Sequence, residues 1–451
     1  MPQKIHRALT PPRVILLGYI IIILIGACLL SLPIASTDSR CSFIDSIFTS
    51  TSGICVTGLV VKNTPADFTR FGKVIILVLI QLGGLGYMTI ASLLFLGLRK
   101  RLSIRQTALT EEAMGYPFGR IGKFVLQAVL FTICFELLGT LILTLCFWGY
   151  GFSWVNAFFK GLFHSVSAFC NAGFALFPDS LVQFACEPQI IFTMSGLFIV
   201  GGLGFIVLKE LHQRIRKERT NLTLHTKLVL LSTIILLVIG TIAILTIERK
   251  GVLANEPIGC RLGVSFFQSA TPRTAGFQVV KVGEYQLATR LISLFLMFIG
   301  ASPGGTGGGI KTTTFVLILM SIYAYSRGKK DIGGFGRRVD SQFVNRAFII
   351  AGVSMLIFSI GVLVLSISES DKSFIALLFE EISAFGTVGL SLGSIINPAC
   401  SLSYDFTNLG KVVIILTMLV GRVGSLTIGT VFIQTVGRET FKLPKEAVLT
   451  G

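Results

Sequence analysis

Charge is scarce in this chain. Asp, Glu, Lys and Arg account for only 14% of its 451 residues, while hydrophobic residues reach 52%; an ordinary soluble domain is about a quarter charged. That shortage excludes a soluble enzyme. Histidine is rarer still, with four copies, and the nine cysteines form no C-x-x-C pair and no other metal-ligand spacing, so the sequence carries no zinc motif and no thioredoxin-like site. No strand-glycine-helix nucleotide fingerprint occurs in the basic linkers. The run Gly304-Gly305-Thr306-Gly307-Gly308-Gly309-Ile310-Lys311-Thr312 looks like a phosphate-binding loop, but Ile310 separates the lysine from the last glycine and breaks that motif.

What the chain has in quantity is long apolar sequence. Charge-free runs cover 14–34, 74–98, 188–208, 228–247 and 347–368, each near or above the ~20 residues that cross hydrocarbon. Three further runs carry a single ionisable residue: 124–150 with Glu136, 291–325 with Lys311, and 412–436 with Arg422. Eight spans result, and a charge inside one marks a functional candidate. The N-terminus, segments 99–123, 209–227 and 326–346, and the tail hold 24 of the 39 Lys and Arg, which places those faces and both termini in the cytoplasm of a cell (inner) membrane protein. The intervening loops balance 13 basic against 13 acidic residues. The formal net charge of +17 is therefore topological, and no nucleic-acid partner is implied. The first span follows Lys4, Arg7 and Arg13 as a signal peptide would, yet its 21 residues exceed the usual apolar core of about 7 to 15 and read as a retained helix.

The outer loops are too long for turns and too apolar for solvent, and they repeat. Phe48 precedes Gly58 by ten residues, and the same interval separates Phe163 from Gly173, Phe266 from Gly276 and Phe379 from Gly389. Successive glycines are 115, 103 and 113 residues apart. Each follows an amphipathic run of about a dozen residues, too short to cross and so read as a re-entrant half-helix. A second echo lies one helix downstream, at Gly83-Gly84-Leu85-Gly86, Gly201-Gly202-Leu203-Gly204, Gly300-Ala301-Ser302-Pro303 and Gly421-Arg422-Val423-Gly424. The first and fourth units also share Phe68-Thr69-Arg70-Phe71-Gly72-Lys73-Val74 and Phe406-Thr407-Asn408-Leu409-Gly410-Lys411-Val412. Duplication of a span, half-helix, loop, span unit explains all three patterns. The expected fold is an all-α polytopic membrane protein with four such repeats around a pseudo-fourfold pore, potassium-channel-like. The repeats are 1–98, 123–208, 228–325 and 347–436, with cytoplasmic linkers 99–122, 209–227 and 326–346 and a tail at 437–451.

Irregular backbone at membrane depth survives only where protein buries it or where it lines a wet cavity. Four loops on one axis would line one cavity, and their carbonyls can replace the hydration shell of a cation. Glycine reaches the backbone angles that aim carbonyls inward. The candidate ion-binding residues, a selectivity filter, are Val56, Thr57 and Gly58; Asn171, Ala172 and Gly173; Thr274, Ala275 and Gly276; and Thr387, Val388 and Gly389. Any one of these glycines is more simply a packing residue. Four in a common register between spans are not.

On these residues the chain resembles the Ktr/Trk/HKT superfamily of potassium transporters over nearly its whole length, most closely the Ktr-type membrane subunit. The resemblance implies one pore per subunit and a homodimer seated on a cytoplasmic ring of nucleotide-binding regulatory subunits. Glycine in all four loops implies potassium over sodium, with potassium as the transported ion and sodium a further candidate as activator or symported ion. It also implies that the glycine-rich loop within 300–313, including Gly304, Gly305, Thr306, Gly307, Gly308, Gly309 and Lys311, is an intramembrane gate. Lys311 would plug the cavity or pair with an acid. Arg422 either adds positive charge to the pathway or forms a structural pair with Glu136 or with helix carbonyls.

Two other classes compete. A secondary carrier of another monovalent cation or small solute also uses broken helices and internal repeats, although most carriers show two repeated halves and this chain shows four parallel units. An intramembrane enzyme would need a nucleophile, an acid pair or a metal cluster, and Glu136, Lys311 and Arg422 are isolated in sequence. His164, in the second half-helix, reads as hydrogen-bonded filler. Cys41, Cys186, Cys260 and Cys400 all fall in outer loops, where disulfides persist if the compartment is oxidising. The expected pairs are Cys41 with Cys400 and Cys186 with Cys260, each joining neighbouring units; reduced loop thiols are the alternative.

Overall fold

A computed structural model describes residues 11–37, 41–86, 121–218, 221–329 and 331–425. The expected tail at 437–451 and the far part of the 74–98 span lie outside the described residues. The first unit contains α1 (Pro11–Leu30), α2 (Phe43–Ile54) and α3 (Arg70–Gly84). The second has α4 (Ile121–Gly149), α5 (Trp154–Phe169), α6 (Pro188–Leu203) and α7 (Phe205–Ile215). The third has α8 (Leu224–Ile247), α9 (Ile258–Ala270), α10 (Leu287–Phe298) and α11 (Thr312–Ser326). The fourth has α12 (Ser341–Ser368), α13 (Phe374–Gly386) and α14 (Asn408–Val423). Among the described residues the only strands form a two-residue hairpin, Gly333–Gly334 against Arg337–Arg338, in the last linker.

Local chemistry starts these helices where the sequence echoes predict. In the motif shared by units one and four, the Thr69 and Thr407 hydroxyls accept the backbone N–H of Gly72 (3.3 Å) and Gly410 (3.2 Å), satisfying donors that a helix start leaves open. The half-helices α2, α5, α9 and α13 have 12, 16, 13 and 13 residues, about 18 to 24 Å at 1.5 Å per residue. They cannot cross roughly 30 Å of hydrocarbon, so each enters and turns back.

A small-residue contact seats each half-helix on the first span of its own unit. The Ser50, Ser165 and Ser269 hydroxyls donate to the carbonyls of Ile23 (2.8 Å), Glu136 (2.7 Å) and Leu237 (2.9 Å). Gly26, Gly139 and Gly240 leave the room for them, because a Cβ at any of the three would strike the serine oxygen. In the fourth unit Gly361 faces Glu381 instead, whose Oε1 accepts from the Thr417 hydroxyl at 2.8 Å. Each half-helix then packs on the second helix of a neighbouring unit: α5 on α3, α9 on α6, α13 on α10, and α2 on α14. That sequence of contacts closes a ring of four units. Lys411 and Asp45 lock its closing joint with an ion pair at 2.8 Å.

Among the described residues, α4, α8 and α12 are long and apolar enough to cross a membrane. Their outward faces carry exposed Leu137, Ile239 and Leu363, as lipid contact requires.

Two expectations need correction. The apolar run 188–208 is not one straight span: α6 stops at Leu203, Gly204 takes φ 95°, and α7 leaves at 102° to it. A left-handed glycine ends a helix at little steric cost, which hydropathy alone does not register. The ten-residue interval in the third unit is also not the structural one. Phe48, Phe163 and Phe379 are fully buried, but their counterpart is Phe267, and Phe266 is only half-buried. The interval from the buried phenylalanine to the glycine is thus one residue shorter in the third unit than in the others.

Candidate ion pathway

All four glycines of the loops, Gly58, Gly173, Gly276 and Gly389, line one outward cavity of about 280 Å³. Each loop has the same backbone shape. Val56, Asn171, Thr274 and Thr387 take φ of 56°, 60°, 76° and 50°, and the glycines two residues later take 93°, 71°, 79° and 90°. A non-glycine residue in the left-handed region is uncommon, so four at one register are a built feature. A Cβ on Gly58 would meet the Ala172 carbonyl oxygen at 2.5 Å and one on Gly173 the Ala275 oxygen at 3.1 Å. One on Gly276 would collide with the Val388 oxygen and one on Gly389 with the Thr57 oxygen. The carbonyls preceding the four glycines thus form a closed ring, each against the glycine of an adjacent unit.

The serines that hold the loops were not singled out in the sequence. Ser52 and Ser383, each six residues before its glycine, accept the N–H of Gly58 and Gly389 at 3.0 Å. Ser167, at the same register, donates to the Phe174 carbonyl at 2.8 Å, and Thr271, one register nearer, donates to that of Phe277 at 2.7 Å. Aligning the units on their glycines would have exposed three of the four. The loops therefore fall into pairs, with units whose glycine precedes leucine bonded one way and those with phenylalanine the other.

The side of the ring away from the cavity is covered by the glycine-rich loop. Gly300 N–H donates to Ile310 at 2.9 Å, closing the loop at its neck. The unit-two helix break supplies Gly202 and Gly201 carbonyls to the N–H groups of Ser302 (3.0 Å) and Thr306 (3.2 Å). The Gly308 N–H donates to the Thr387 hydroxyl at 2.9 Å. Gly307 lies tight against the Thr274 hydroxyl. With the Asn171 amide oriented to satisfy all its partners, its oxygen accepts from the Thr274 hydroxyl at 3.0 Å and its NH₂ donates to the Phe198 carbonyl at 3.0 Å and the Thr306 hydroxyl at 3.2 Å. The loop is thus bonded to or packed on the left-handed residues of loops two, three and four.

The second sequence echo is the frame around this loop. Gly83, Gly201 and Gly421 press against the carbonyls of Ile54, Phe169 and Phe385, where the half-helices end, whereas Gly300 presses against the Gly308 carbonyl of the loop itself. Arg422, buried, donates to the carbonyls of Thr306 and Gly83, tying the loop to the first unit. Of the readings left open for Arg422, the structure gives it helix and loop carbonyls, not Glu136. Glu136 instead accepts from the Cys170 thiol at 3.7 Å and from Gln81. Among the described residues Lys311 is not paired with an acid: its Nζ donates to the Gly307 (2.7 Å) and Gly308 (3.4 Å) carbonyls of its own loop. A short glycine-rich turn presents bare carbonyls within reach, and a lysine three or four residues later satisfies them. His164 is filler as expected, fully buried, with Nδ1 on the Lys160 carbonyl (2.7 Å) and Nε2 accepting the Leu176 N–H (3.2 Å).

Comparison with known proteins fits this geometry. The sequence pattern of the TrkH family, described as cation transport protein, matches residues 13–441. The chain belongs to the TrkH family. This family member is 40% identical over 445 residues to the Ktr system potassium uptake protein B of Bacillus subtilis, covering 98% of this chain and 97% of that protein. It is 36% identical over 463 residues to the potassium/sodium uptake protein NtpJ of Enterococcus hirae, covering 100% and 99%. Its fold is that of the crystal structure of the potassium transporter TrkH from Vibrio parahaemolyticus, at TM-score 0.69 and 19% identity over 93% of this chain and 85% of that one. The TrkH-family chain is a multi-pass membrane transporter and not an enzyme.

On the outer face, Cys186 and Cys260 are bonded, with Cα atoms 4.8 Å apart. The other expected pair is absent: Cys41 and Cys400 are both free and buried. Burial pushes the Cys400 thiol up to about 12 and raises that of Cys41, so both resist forming the thiolate from which a disulfide grows.

Proposed function

We propose that this chain takes up potassium through its central pathway, with the four carbonyls before Gly58, Gly173, Gly276 and Gly389 replacing water around the ion. The observation that carries this reading is the closed ring of four glycine contacts facing one cavity. Residues 304–311 act as the gate: the loop stands under the ring, and Arg422 is its latch on the first and fourth units. Lys311 stabilises the loop's own carbonyls, and Arg422 also adds positive charge that discourages over-tight cation binding. Sodium is a candidate activator. The chain works as a homodimer, and its basic cytoplasmic linkers rest on a separate nucleotide-binding ring, because they carry no nucleotide fingerprint themselves. The identity to uptake proteins named for potassium supports the choice of ion.

Ion flux into proteoliposomes tests the reading. Potassium and rubidium are expected to enter and sodium to lag well behind; equal uptake of sodium would reject the four-carbonyl filter. Co-purification with a soluble nucleotide-binding ring tests the partner, and tight nucleotide binding by the purified subunit alone contradicts it.

A further inference from the structure

One cluster of metal-ligating side chains lies outside the pathway. Cys186 ends the outer loop of the second unit, just ahead of α6. Cys260 sits in the first turn of α9, and Glu256 lies just before that helix. One ligand atom from each of the three lies within 4.8 Å of the others. Cys186 is exposed, Glu256 half-buried and Cys260 buried, so the cluster is a shallow cup open to the outer medium. Cys186 Sγ and Glu256 Oε2 are 3.2 Å apart. The carboxylate does not depend on the cysteines for its place. Arg261 donates from Nε to the Glu256 carbonyl (2.6 Å) and from its terminal nitrogen to that of Ala254 (2.7 Å), fixing the backbone that carries it.

Oxidised, the two sulfurs bond to each other and the cup offers one carboxylate. We infer that the reduced form of Cys186, Cys260 and Glu256 is a binding site for a soft divalent cation of the zinc or cadmium class. Reduction requires an external dithiol. One of its thiolates attacks a sulfur of the pair and releases the other as thiolate, and its second thiol then displaces the mixed disulfide. Two electrons and two protons pass to the cysteines, and the reductant leaves as a cyclic disulfide. Cation binding displaces both thiol protons to water. Two thiolates and one carboxylate suit a four-coordinate d¹⁰ ion and leave the fourth position for water on the open side. The exposed side chain of Cys186 can rotate to open the two sulfurs to metal-binding separation. Because Cys260 stands at the start of the third half-helix, the cation would clamp that helix to the second unit in place of the disulfide.

Cadmium titration of the full chain in detergent tests this, read by thiolate-to-cadmium charge-transfer absorption. After reduction with dithiothreitol and its removal, one cadmium per chain is expected; the oxidised chain should give none. Cys186→Ser and Cys260→Ser should each abolish the signal, and Glu256→Gln should weaken binding roughly tenfold or more by removing a ligand of the cation. Retained potassium flux certifies that each variant is folded. The inference is overturned if the reduced chain gives no absorption. It is equally overturned if Cys186→Ser binds as the parent does, which would assign the signal to the exposed Cys28 and Cys134.

Discussion

At the level of Gly58, Gly173, Gly276 and Gly389 every unit contributes the same thing: a left-handed residue, a carbonyl, and a left-handed glycine pressed on its neighbour. Beneath that ring, among the described residues, only the third unit contributes a loop; helix ends of the second and fourth units bond to it, and Arg422 ties it to that of the first. On the proposed reading, the upper level is symmetric because an ion stripped of water is matched by carbonyls on all sides. On that reading, the lower level is asymmetric because one obstruction suffices to close the path. The glycine echo at 83, 201, 300 and 421 recurs in all four units, and among the described residues it opens into a long loop in the third.

The largest effect is expected from breaking the symmetric level. Gly276→Ser places a side chain at φ 79° against the Val388 oxygen. The backbone cost of about 1–2 kcal/mol corresponds to roughly a tenfold change in an equilibrium constant, so the potassium-to-sodium flux ratio should fall by that order. An unchanged ratio in a folded variant would remove Gly276 from the filter. Next comes the asymmetric level: shortening 304–309 should raise potassium flux and lessen control by a regulatory partner. Equal flux with control intact would make the loop a packing kink.

Arg422→Gln should release the latch more gently, raising flux while lowering thermal stability by about 1.5–3 kcal/mol for each charge-assisted bond lost. Flux at or below the parent's would mean that the arginine serves the ion and not the loop. Ser52→Ala leaves the Gly58 N–H without its partner and should cost about 1 kcal/mol, with a small loss of selectivity seen by the same flux assay. The smallest effect is expected from Glu381→Ser, which gives the fourth unit the serine of the other three. Glu381 Oε2 is buried without a partner, so removing the acid should hold or raise the melting temperature; a clear drop would show that Glu381 carries a bond that serine cannot replace.

Much of this was legible before any coordinates, for a physical reason. A loop position where any Cβ would meet the backbone of the next loop is restricted to glycine, and glycine four times at one register is a strong signal in a single sequence. Spans were legible where charge was absent, as in α8 and α12. What was not legible depended on contacts between units. The break at Gly204 is invisible to hydropathy because both sides of it are apolar. The third unit's register was misread because two phenylalanines stand side by side and only burial distinguishes Phe266 from Phe267. The partner of Arg422 is a backbone carbonyl more than a hundred residues away, and carbonyls leave no mark in a sequence. The same holds for Lys311, whose partners are the peptide groups just before it.

The hydrogen bond between Thr274 and Asn171 has a consequence for inheritance. A ring assembled from four identical chains changes in all four places whenever one codon changes, so two neighbouring positions can never be a donor on one side and an amide on the other without being both everywhere. Here the four positions are encoded separately, as Val56, Asn171, Thr274 and Thr387. Each quarter of the ring can therefore mutate alone, and a loop that touches three quarters through different side chains can be tuned one contact at a time.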